Sequence, residues 1–430
     1  MLLVYTHKIT PRLRYIFKHI FENMIGVEVS FTKAVEEFVA HAGPKFSYTT
    51  KALGDEFFVA SHSLLFEQGV VQQQIEVEIW ERLPVFFKTD DAAVIPYDVF
   101  AASFFMLSRY EEALPHIKTA EGHFDPSKSI AKQHDFLELP VVDLWVAKFQ
   151  QILASHFEEF KLPKGRPPKK EILIEVPLAF RYKYRTLLEI LMDFSSALWQ
   201  LNIRGLITQF LVLLRLKDDP YDSFDQWKTL FASGSIQPKI FFLFAKSSAY
   251  QSTISTFNLK YRQIIKQTGD FFALGVLASV KSQLIPNQNL SREKKDFQEL
   301  THRTVTNVRW SNGIKEVTKD YGTLSDFEFT SDYSMGYALT LGFRAGTAIP
   351  FYFYDVSNEF QLPLKVHSVY ATQKALTQKG DKQPFEILEK KYEELPLSNS
   401  KFTVVLTNGF LHSSSKNNTL QKGFQDYICD

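Results

Sequence analysis

The hydrophobic positions at the start of the chain switch between short strand-like runs and a helical repeat. Leu2–Tyr5 and Val27–Phe31 are compact apolar runs that predict two strands. Between them, residues 13–24 carry apolar side chains at helical spacing, and Thr10 and Pro11 have the residue types preferred at an N-cap and at the first helical position. The pattern therefore predicts a β-α-β unit at the amino terminus.

Three further helices are expected within residues 1–160, the first a short one near Val35–Ala40. Asp98–Glu112 is an apolar run with a charged end, and Val141–Phe160 repeats apolar residues over several turns. Arg109, Glu111 and Glu112 are interpreted as a solvated helix end with local ion pairs.

The pattern changes after a basic, proline-rich segment. Residues 161–170, KLPKGRPPKK, hold three prolines, one glycine and five basic residues, and are interpreted as a hydrated linker rather than a phosphate-binding patch. Residues 1–160 are thus expected to form one domain and residues 171–430 another.

The second domain alternates apolar strand-like runs with helical segments. This pattern predicts an α/β fold in which parallel strands are covered by helices, and a site where the carboxyl ends of the strands meet the following loops. The strand-like runs lie at 172–176, 239–244, 271–277, 350–356 and 401–406.

Composition and charge exclude several classes of protein. The chain has 430 residues, 45% of them hydrophobic, and a net charge of +1, so nucleic acid is not an expected partner. Cys429 is the only cysteine, which argues against a disulfide framework or a thiolate metal site. The apolar stretch 197–214 is interrupted by polar residues, so no integral membrane segment is expected, and the absence of a signal-like amino terminus favours a cytoplasmic protein.

Candidate chemistry is sparse. The eleven histidines form no closely spaced ligand pair, and only three of them occur after residue 156. His116, His123, His134 and Asp125 match no metal-ligand template.

One charged residue stands out within 331–355, a run of glycines, aromatic residues and β-branched residues. Arg344 in this nearly uncharged segment needs a buried acidic or carbonyl partner. It is interpreted either as part of a structural ion pair or as a site residue.

Six separated motifs carry a resemblance to a known family. They are FMLSRYEE at 105–112, FDPSKS at 124–129, LPVVDLW at 139–145, KDDPYDSFDQW at 217–227, DYSMGYA at 332–338 and GFRAGTAIPFYFYD at 342–355. Taken in order, they resemble the polysaccharide deacetylase-like proteins of Bacteroidetes. In these, an uncharacterised N-terminal domain precedes a NodB-like deacetylase domain. The resemblance implies a small N-terminal α/β domain followed by a distorted (β/α) barrel, similar to a TIM barrel, over residues 171–430.

The resemblance also implies a divalent metal ion held by an aspartate and two histidines, with a second aspartate as general base. Glu175 and Pro177 stand where the family carries its pair of aspartates after the first barrel strand. Leu277, Ser311 and Thr407 stand where it carries histidines. These residues cannot supply three metal ligands, so the metal site is interpreted as degenerate and no cofactor is expected.

The leading hypothesis is therefore a non-catalytic relative, a pseudoenzyme of carbohydrate metabolism that binds a glycan or a protein partner. Aromatic rings and planar polar groups suit sugars, and the candidates for a residual cleft are Tyr182, Arg309, Trp310, Asp332 and Arg344. Trp310 could equally be a core residue, and Arg344 with Asp332 a structural pair.

Two alternatives stay open. Glu175 could serve an active hydrolase with a relocated site, although no partner for it is evident. A scaffold subunit is the other, and it would be favoured if Leu277 and Pro177 fill the cleft while an apolar patch is exposed elsewhere.

Overall fold

The computed structural model describes residues 1–158, 160, 165–232, 234, 236–378, 383–412 and 418–429. The strands are β1 Leu2–Tyr5, β2 Val29–Thr32, β3 Lys45–Thr49, β4 Phe58–Ala60, β5 Glu78–Trp80, β6 Leu83–Val85, β7 Lys169–Val176, β8 Lys239–Phe242, β9 Ala273–Ala278, β10 Asn307–Trp310, β11 Ser331–Met335, β12 Phe351–Asp355, β13 Phe360–Ser368, β14 Ala371–Thr372 and β15 Lys401–Thr407. The α-helices are α1 Pro11–Lys18, α2 Val35–Ala40, α3 Val99–Leu107, α4 Tyr110–Ala113, α5 Ile130–Gln133, α6 Val141–His156, α7 Leu187–Trp199, α8 Ile203–Leu213, α9 Phe224–Phe231, α10 Leu259–Gly269, α11 Val280–Leu284, α12 Pro286–Thr301, α13 Val317–Asp326, α14 Gln373–Gln378, α15 Pro384–Glu393 and α16 Asn418–Cys429.

The chain forms two compact units. Unit 1 comprises residues 1–169, 313–371 and 391–403, and unit 2 comprises residues 170–312, 372–390 and 404–430. The predicted α/β class with a small N-terminal α/β part is confirmed. Residues 161–164 of the predicted linker lie outside the described residues, and the division into domains 1–160 and 171–430 stays a prediction.

Unit 1 begins with the predicted β-α-β unit. Strands β2, β1, β3 and β4 form a parallel sheet in that order. The Thr10 hydroxyl caps α1 by accepting from the backbone N–H of Leu13 at 3.1 Å. The second strand begins at Val29 rather than Val27, because the N–H of Val27 donates to the carbonyl of Phe21 and closes the preceding helical segment.

Aromatic rings fill the core of this unit. The ring centroid of Phe100 lies 4.3 Å from that of Phe17 and 5.0 Å from that of Phe149, and Phe46 stacks on Phe100 with centroids 6.1 Å apart. All four rings are at most 1% exposed. Much of the high aromatic content is therefore used for packing.

The predicted helix 98–112 is divided in two. Asp98 caps α3 through the N–H groups of Phe100 and Ala101, and Arg109 separates α3 from α4 with a left-handed φ of 52°. The prediction of a solvated charged end is wrong. Arg109 is 1% exposed and Glu112 9%.

Strands β11, β13 and β12 complete the sheet structure of unit 1. Strand β11 pairs parallel with β13, whereas β12 pairs antiparallel with β13. The expectation that residues 350–356 form a parallel strand is therefore wrong. Only four residues join β12 to β13, too few for the crossover connection that parallel pairing requires.

A buried ion network explains why Arg109 and Glu112 are inside. Glu112 Oε1 accepts from Arg109 Nε at 2.8 Å and from Arg344 Nε at 2.9 Å, and Arg344 Nη2 reaches Oε2 at 2.5 Å. Burial alone would raise the pKa of Glu112, but the charges of Arg344 and Arg109 outweigh it and lower that pKa to about 2. The carboxylate therefore stays ionised in the core.

Arg344 finds its acidic partner in Glu112 rather than in Asp332. The guanidinium of Arg344 also lies 5.3 Å from the ring centroid of Tyr337. Asp332 accepts instead from the backbone N–H and the hydroxyl of Ser334, at 2.8 Å and 2.6 Å. The motifs at 105–112, 332–338 and 342–355 thus contact one another inside unit 1, and these contacts stabilise the fold.

A fourth motif contributes a second buried carboxylate. Asp143 on α6 accepts from the Thr347 hydroxyl at 2.5 Å and from the N–H of Ala348 at 2.9 Å. Burial raises the pKa of Asp143 to about 7. This carboxyl group holds the segment before β12 against α6.

Glu112→Gln removes the negative charge from between two arginines and preserves the side-chain length. Arg344 then loses its acidic partner and Arg109 keeps only Glu111, so the free energy of unfolding should fall by about 3–5 kcal/mol in urea unfolding at pH 7. The exposed pair Lys118–Glu316, with side chains 39% and 49% exposed, offers the matched control. Glu316→Gln should cost less than about 1 kcal/mol. Equal effects of the two variants would contradict a central role for the network.

The contribution of Glu112 should depend on pH with a defined sign. Its folded-state pKa of about 2 lies below the ordinary value of 4.5, so the stabilisation is fully present above pH 4.5 and is lost as pH falls through 2. The difference in unfolding free energy between the wild type and Glu112→Gln should therefore shrink between these two pH values. A constant difference over this range would show that the carboxylate is not preferentially ionised in the folded state.

Candidate functional site

The carboxyl ends of four parallel strands in unit 2 form the place where the sequence predicts a site. Strands β10, β9, β8 and β7 are neighbours in that order and all pair in parallel. The sequence predicts β7, β8 and β9 as parallel strands, but it does not predict β10. Glu175, Phe241 and Gly275 are register partners in one row, so their side-chain positions share one face of the sheet. A Cβ on Gly275 would lie 2.4 Å from the ring of Phe241. The phenyl ring therefore occupies the space that the glycine leaves.

Glu175 forms an ion pair with Arg309 across this face. The two residues lie on β7 and β10, which are separated by β8 and β9, so their backbones would be about 14 Å apart in a flat sheet. The direct contact indicates a curled sheet, as in an incomplete barrel. The side chains of Glu175 and Arg309 are only 15% and 8% exposed.

Leu277 lies next to this ion pair. It is the register partner of Arg309 and is 1% exposed. Pro177, which follows the strand of Glu175, is half-buried. The face of the sheet near its carboxyl end thus combines one ion pair with apolar side chains.

Ser311 and Thr407, the other two positions that the sequence resemblance aligns with histidines, form hydrogen bonds to neighbouring segments. The N–H of Ser311 donates to the carbonyl of Ala278 at 3.1 Å and continues the pairing beyond β10. The N–H and hydroxyl of Thr407 both donate to the side-chain oxygen of Gln373, at 2.9 Å and 2.8 Å. Both residues hold neighbouring segments together.

Asp219 is a polar residue that the sequence reasoning missed. This buried carboxylate accepts four backbone N–H groups, those of Arg181, Tyr182, Lys183 and Tyr221, at 2.7–3.0 Å. It fixes the loop that follows β7. The motif at 217–227 contains Asp219 and could have drawn attention to it. Three of its four partners, however, lie 36 to 38 positions away in the sequence.

Asn408 performs the same task from the end of β15. Its amide donates to the carbonyls of Leu178 and Tyr221 at 2.9 Å and 2.8 Å. The backbone carbonyl of Asn408 accepts from the Ser223 hydroxyl and from Trp227 Nε1. The asparagine at this position is thus a structural clamp between loops.

The loops held by Asp219 and Asn408 present an arginine between two tyrosines. The guanidinium carbon of Arg181 lies 5.8 Å from the ring centroid of Tyr182 and 6.0 Å from that of Tyr221. Both tyrosines are half-buried. We term these three residues the Tyr-Arg-Tyr cluster. Rings and a planar cation that remain in contact with solvent are groups that stack on sugar rings and hydrogen-bond their hydroxyls.

The other predicted cleft residues are less accessible. Trp310 is 1% exposed and Arg309 7%, both in unit 2. Asp332 and Arg344 belong to unit 1 and are 0% and 3% exposed. Tyr182 is therefore the most accessible of the five candidates.

Metal-binding geometry is absent from the part of the chain that the structure describes. No group of three or more His, Cys, Asp or Glu side chains there is placed to hold a metal ion. In the same residues, no helix combines the length and apolar character needed to cross a membrane.

Comparison with known proteins gives a family only for the amino-terminal part. Residues 2–158, less than half of the chain, match DUF7033, a family of unknown function. No curated protein matches the chain.

Solved structures are similar at low identity. One, from Mycobacterium smegmatis, is described as a polysaccharide deacetylase. It is 10% identical with a TM-score of 0.37, and the match covers 62% of this chain and 85% of that one. Puue allantoinase is 9% identical with a TM-score of 0.36, and the match covers 61% and 83% of the two chains. These identities transfer no activity or residue role to this protein.

Proposed function

We propose that this protein is a polysaccharide deacetylase-like chain that binds a glycan and does not deacetylate by the metal-dependent route of that family. The observation that carries the proposal is the Glu175–Arg309 ion pair. Glu175, the carboxylate that stands at an expected ligand position, is engaged by a cation from the opposite side of the same sheet face.

The residues at this place do not fit a divalent metal ion. Glu175 is paired with Arg309, Leu277 is apolar, and Thr407 bonds to Gln373. A catalytic metal needs about three protein ligands and an open position for water. We therefore derive no catalytic step at these strand ends.

Glycan binding is assigned to the Tyr-Arg-Tyr cluster. Asp219 and Asn408 fix its loops through backbone hydrogen bonds, so the rings are held in place before a ligand arrives. A preorganised surface loses less conformational entropy on binding. Tyrosine rings supply apolar faces, and Arg181 supplies planar donors for hydroxyl or carbonyl oxygens.

An interaction subunit is the second candidate function. Helices α7 and α8 expose many apolar residues, while Leu277 is buried on the sheet face. Exposed apolar patches larger than a few hundred Å² are typical of interaction surfaces.

Loss of deacetylation can be tested with acetylated chitooligosaccharides and peptidoglycan fragments in the presence of Zn²⁺, Co²⁺, Ni²⁺ or Mn²⁺. We expect the wild type and Glu175→Gln to release no acetate above background, because Glu175 is held by Arg309. Inductively coupled plasma spectrometry should find less than one equivalent of metal in the purified protein. Acetate release by the wild type that Glu175→Gln abolishes would establish the alternative of an active hydrolase.

Glycan binding can be tested by calorimetric titration with acetylated chitotetraose. Tyr182→Ala removes one ring of the cluster and should weaken binding roughly 3- to 10-fold, corresponding to about 0.5–1.5 kcal/mol for a stacked ring. Tyr182→Phe should bind nearly as well as the wild type, because the ring remains.

Tyr250→Ala is the matched control, since Tyr250 is also a tyrosine of unit 2, is 64% exposed and lies outside the cluster. It should leave the affinity unchanged. Equal affinities of the wild type and Tyr182→Ala would remove the cluster from the proposal, as would an effect of Tyr250→Ala as large as that of Tyr182→Ala.

A further inference from the structure

The largest set of exposed apolar side chains in unit 2 lies on the hairpin formed by α7 and α8. We term residues 187–216 the apolar hairpin. Fourteen large apolar residues there are between 42% and 90% exposed. They are Leu187, Leu188, Leu191, Met192, Phe194, Leu198, Trp199, Leu201, Ile203, Ile207, Phe210, Leu213, Leu214 and Leu216.

The hairpin has little protein to pack against. Not one of the described residues 181–208 is buried, and α7 contains no buried side chain. The largest apolar patch of a typical monomer covers about 300–600 Å², and fourteen exposed side chains of this size far exceed that area. Leaving this surface in water is unfavourable, so it requires a covering medium.

The helices themselves are well formed. Thr186 and Glu189 make a capping box at the start of α7, and the Asn202 side chain accepts from the N–H of Gly205 to cap α8. Gln209 donates to the carbonyl of Ile190 at 3.2 Å and links the two helices. Leu187, Leu191, Phe194 and Leu198 follow helical spacing, so they form one continuous stripe.

The turn of the hairpin is the most exposed part. Trp199 is 90% exposed, Leu201 81% and Ile203 66%. Tryptophan is enriched at the boundary between lipid headgroups and acyl chains, where its ring is apolar and its N–H can reach water. An exposed apolar turn of this composition suits a deformable medium better than a rigid pocket on another protein.

The charges around the hairpin are strongly one-sided. Residues 181–217 contain six basic and two acidic residues, although the whole chain has a net charge of only +1. Both acids, Glu189 and Asp193, pair with Arg185. Arg204, Arg215 and Lys217 are exposed and enter no ion pair within the described residues.

We propose that the apolar hairpin docks this protein on the surface of a membrane that contains anionic lipids, with the turn at Trp199–Ile203 inserted among the headgroups. Helices of 13 and 11 residues are too short to span a bilayer, which needs about 20, so the hairpin lies in the interface. The exposed cations complement anionic headgroups. A dimer through the same face would instead bring two such cationic segments together, which is unfavourable.

The experiment measures flotation of the full chain with vesicles of phosphatidylcholine alone or with 30% phosphatidylglycerol, a test composition chosen for its anionic charge. We expect binding to the anionic vesicles, weakened by high salt and by Arg204→Glu with Arg215→Glu. Trp199→Ser with Leu201→Ser should reduce the vesicle partition coefficient at least about tenfold. Both residues are at an exposed turn, so circular dichroism of this variant should match the wild type.

Matched controls are Val39→Ser and Ile79→Ser, which replace apolar residues of unit 1 that are 68% and 70% exposed. These variants should bind vesicles like the wild type. Tryptophan fluorescence gives a second readout, because Trp145, Trp227 and Trp310 are each 1% exposed and Trp80 of unit 1 is half-buried, whereas Trp199 is 90% exposed. A blue shift on vesicle addition that disappears in the Trp199→Ser variant places the turn in the interface.

Three results overturn the proposal. They are no binding to either vesicle, binding that the turn variant leaves unchanged, or a solution dimer that the turn variant converts to a monomer. The last result would assign the face to a second copy of the chain. None of them depends on the glycan titration, so this proposal and the proposed function can fail independently.

Discussion

Unit 1 depends on one carboxylate held between two arginines. Glu112 and Arg344 are 232 positions apart in the chain, and their contact joins the α3–α4 region to the segment before β12. A buried carboxylate is strongly destabilising unless cations and hydrogen bonds replace the lost water, and Arg109 and Arg344 do this together. The surrounding turn at Arg109 and the ring of Tyr337 are positioned by the same cluster.

This network changes the meaning of the motifs that suggest a deacetylase-like protein. Three of them supply Glu112, Tyr337 and Arg344, and a fourth supplies Asp143, which holds Thr347 and Ala348. Each of these four side chains makes a structural contact inside unit 1. These motifs therefore reflect the architecture of unit 1, and the candidate chemistry of the protein lies in unit 2.

In unit 2, polar residues likewise hold strands and loops. Glu175 and Arg309 join the two sides of a curled sheet face, and Asp219 and Asn408 fasten the loops that follow β7 and β15. Two accessible surfaces of unit 2 carry our proposals: the Tyr-Arg-Tyr cluster, proposed to bind a glycan, and the apolar hairpin, proposed to contact lipid. The unit thus presents a polar and an apolar surface built on one parallel sheet scaffold.

Secondary-structure elements could be predicted from the sequence where the evidence for them lies in neighbouring residues. Spacing, capping residues and apolar runs involve neighbouring residues only. They predict strand β1, the Thr10 cap, helix α2 and the parallel strands β7, β8 and β9. The tertiary structure determines which charged side chains are buried and that β12 runs antiparallel to β13. It also brings the Asp219 carboxylate within hydrogen-bonding distance of backbone N–H groups in a distant loop. It also decided that the apolar repeat of α7 faces solvent, since an apolar stripe predicts a covered face but not what covers it. These outcomes depend on contacts between residues far apart in the chain, and hydrophobic periodicity carries no information about such partners.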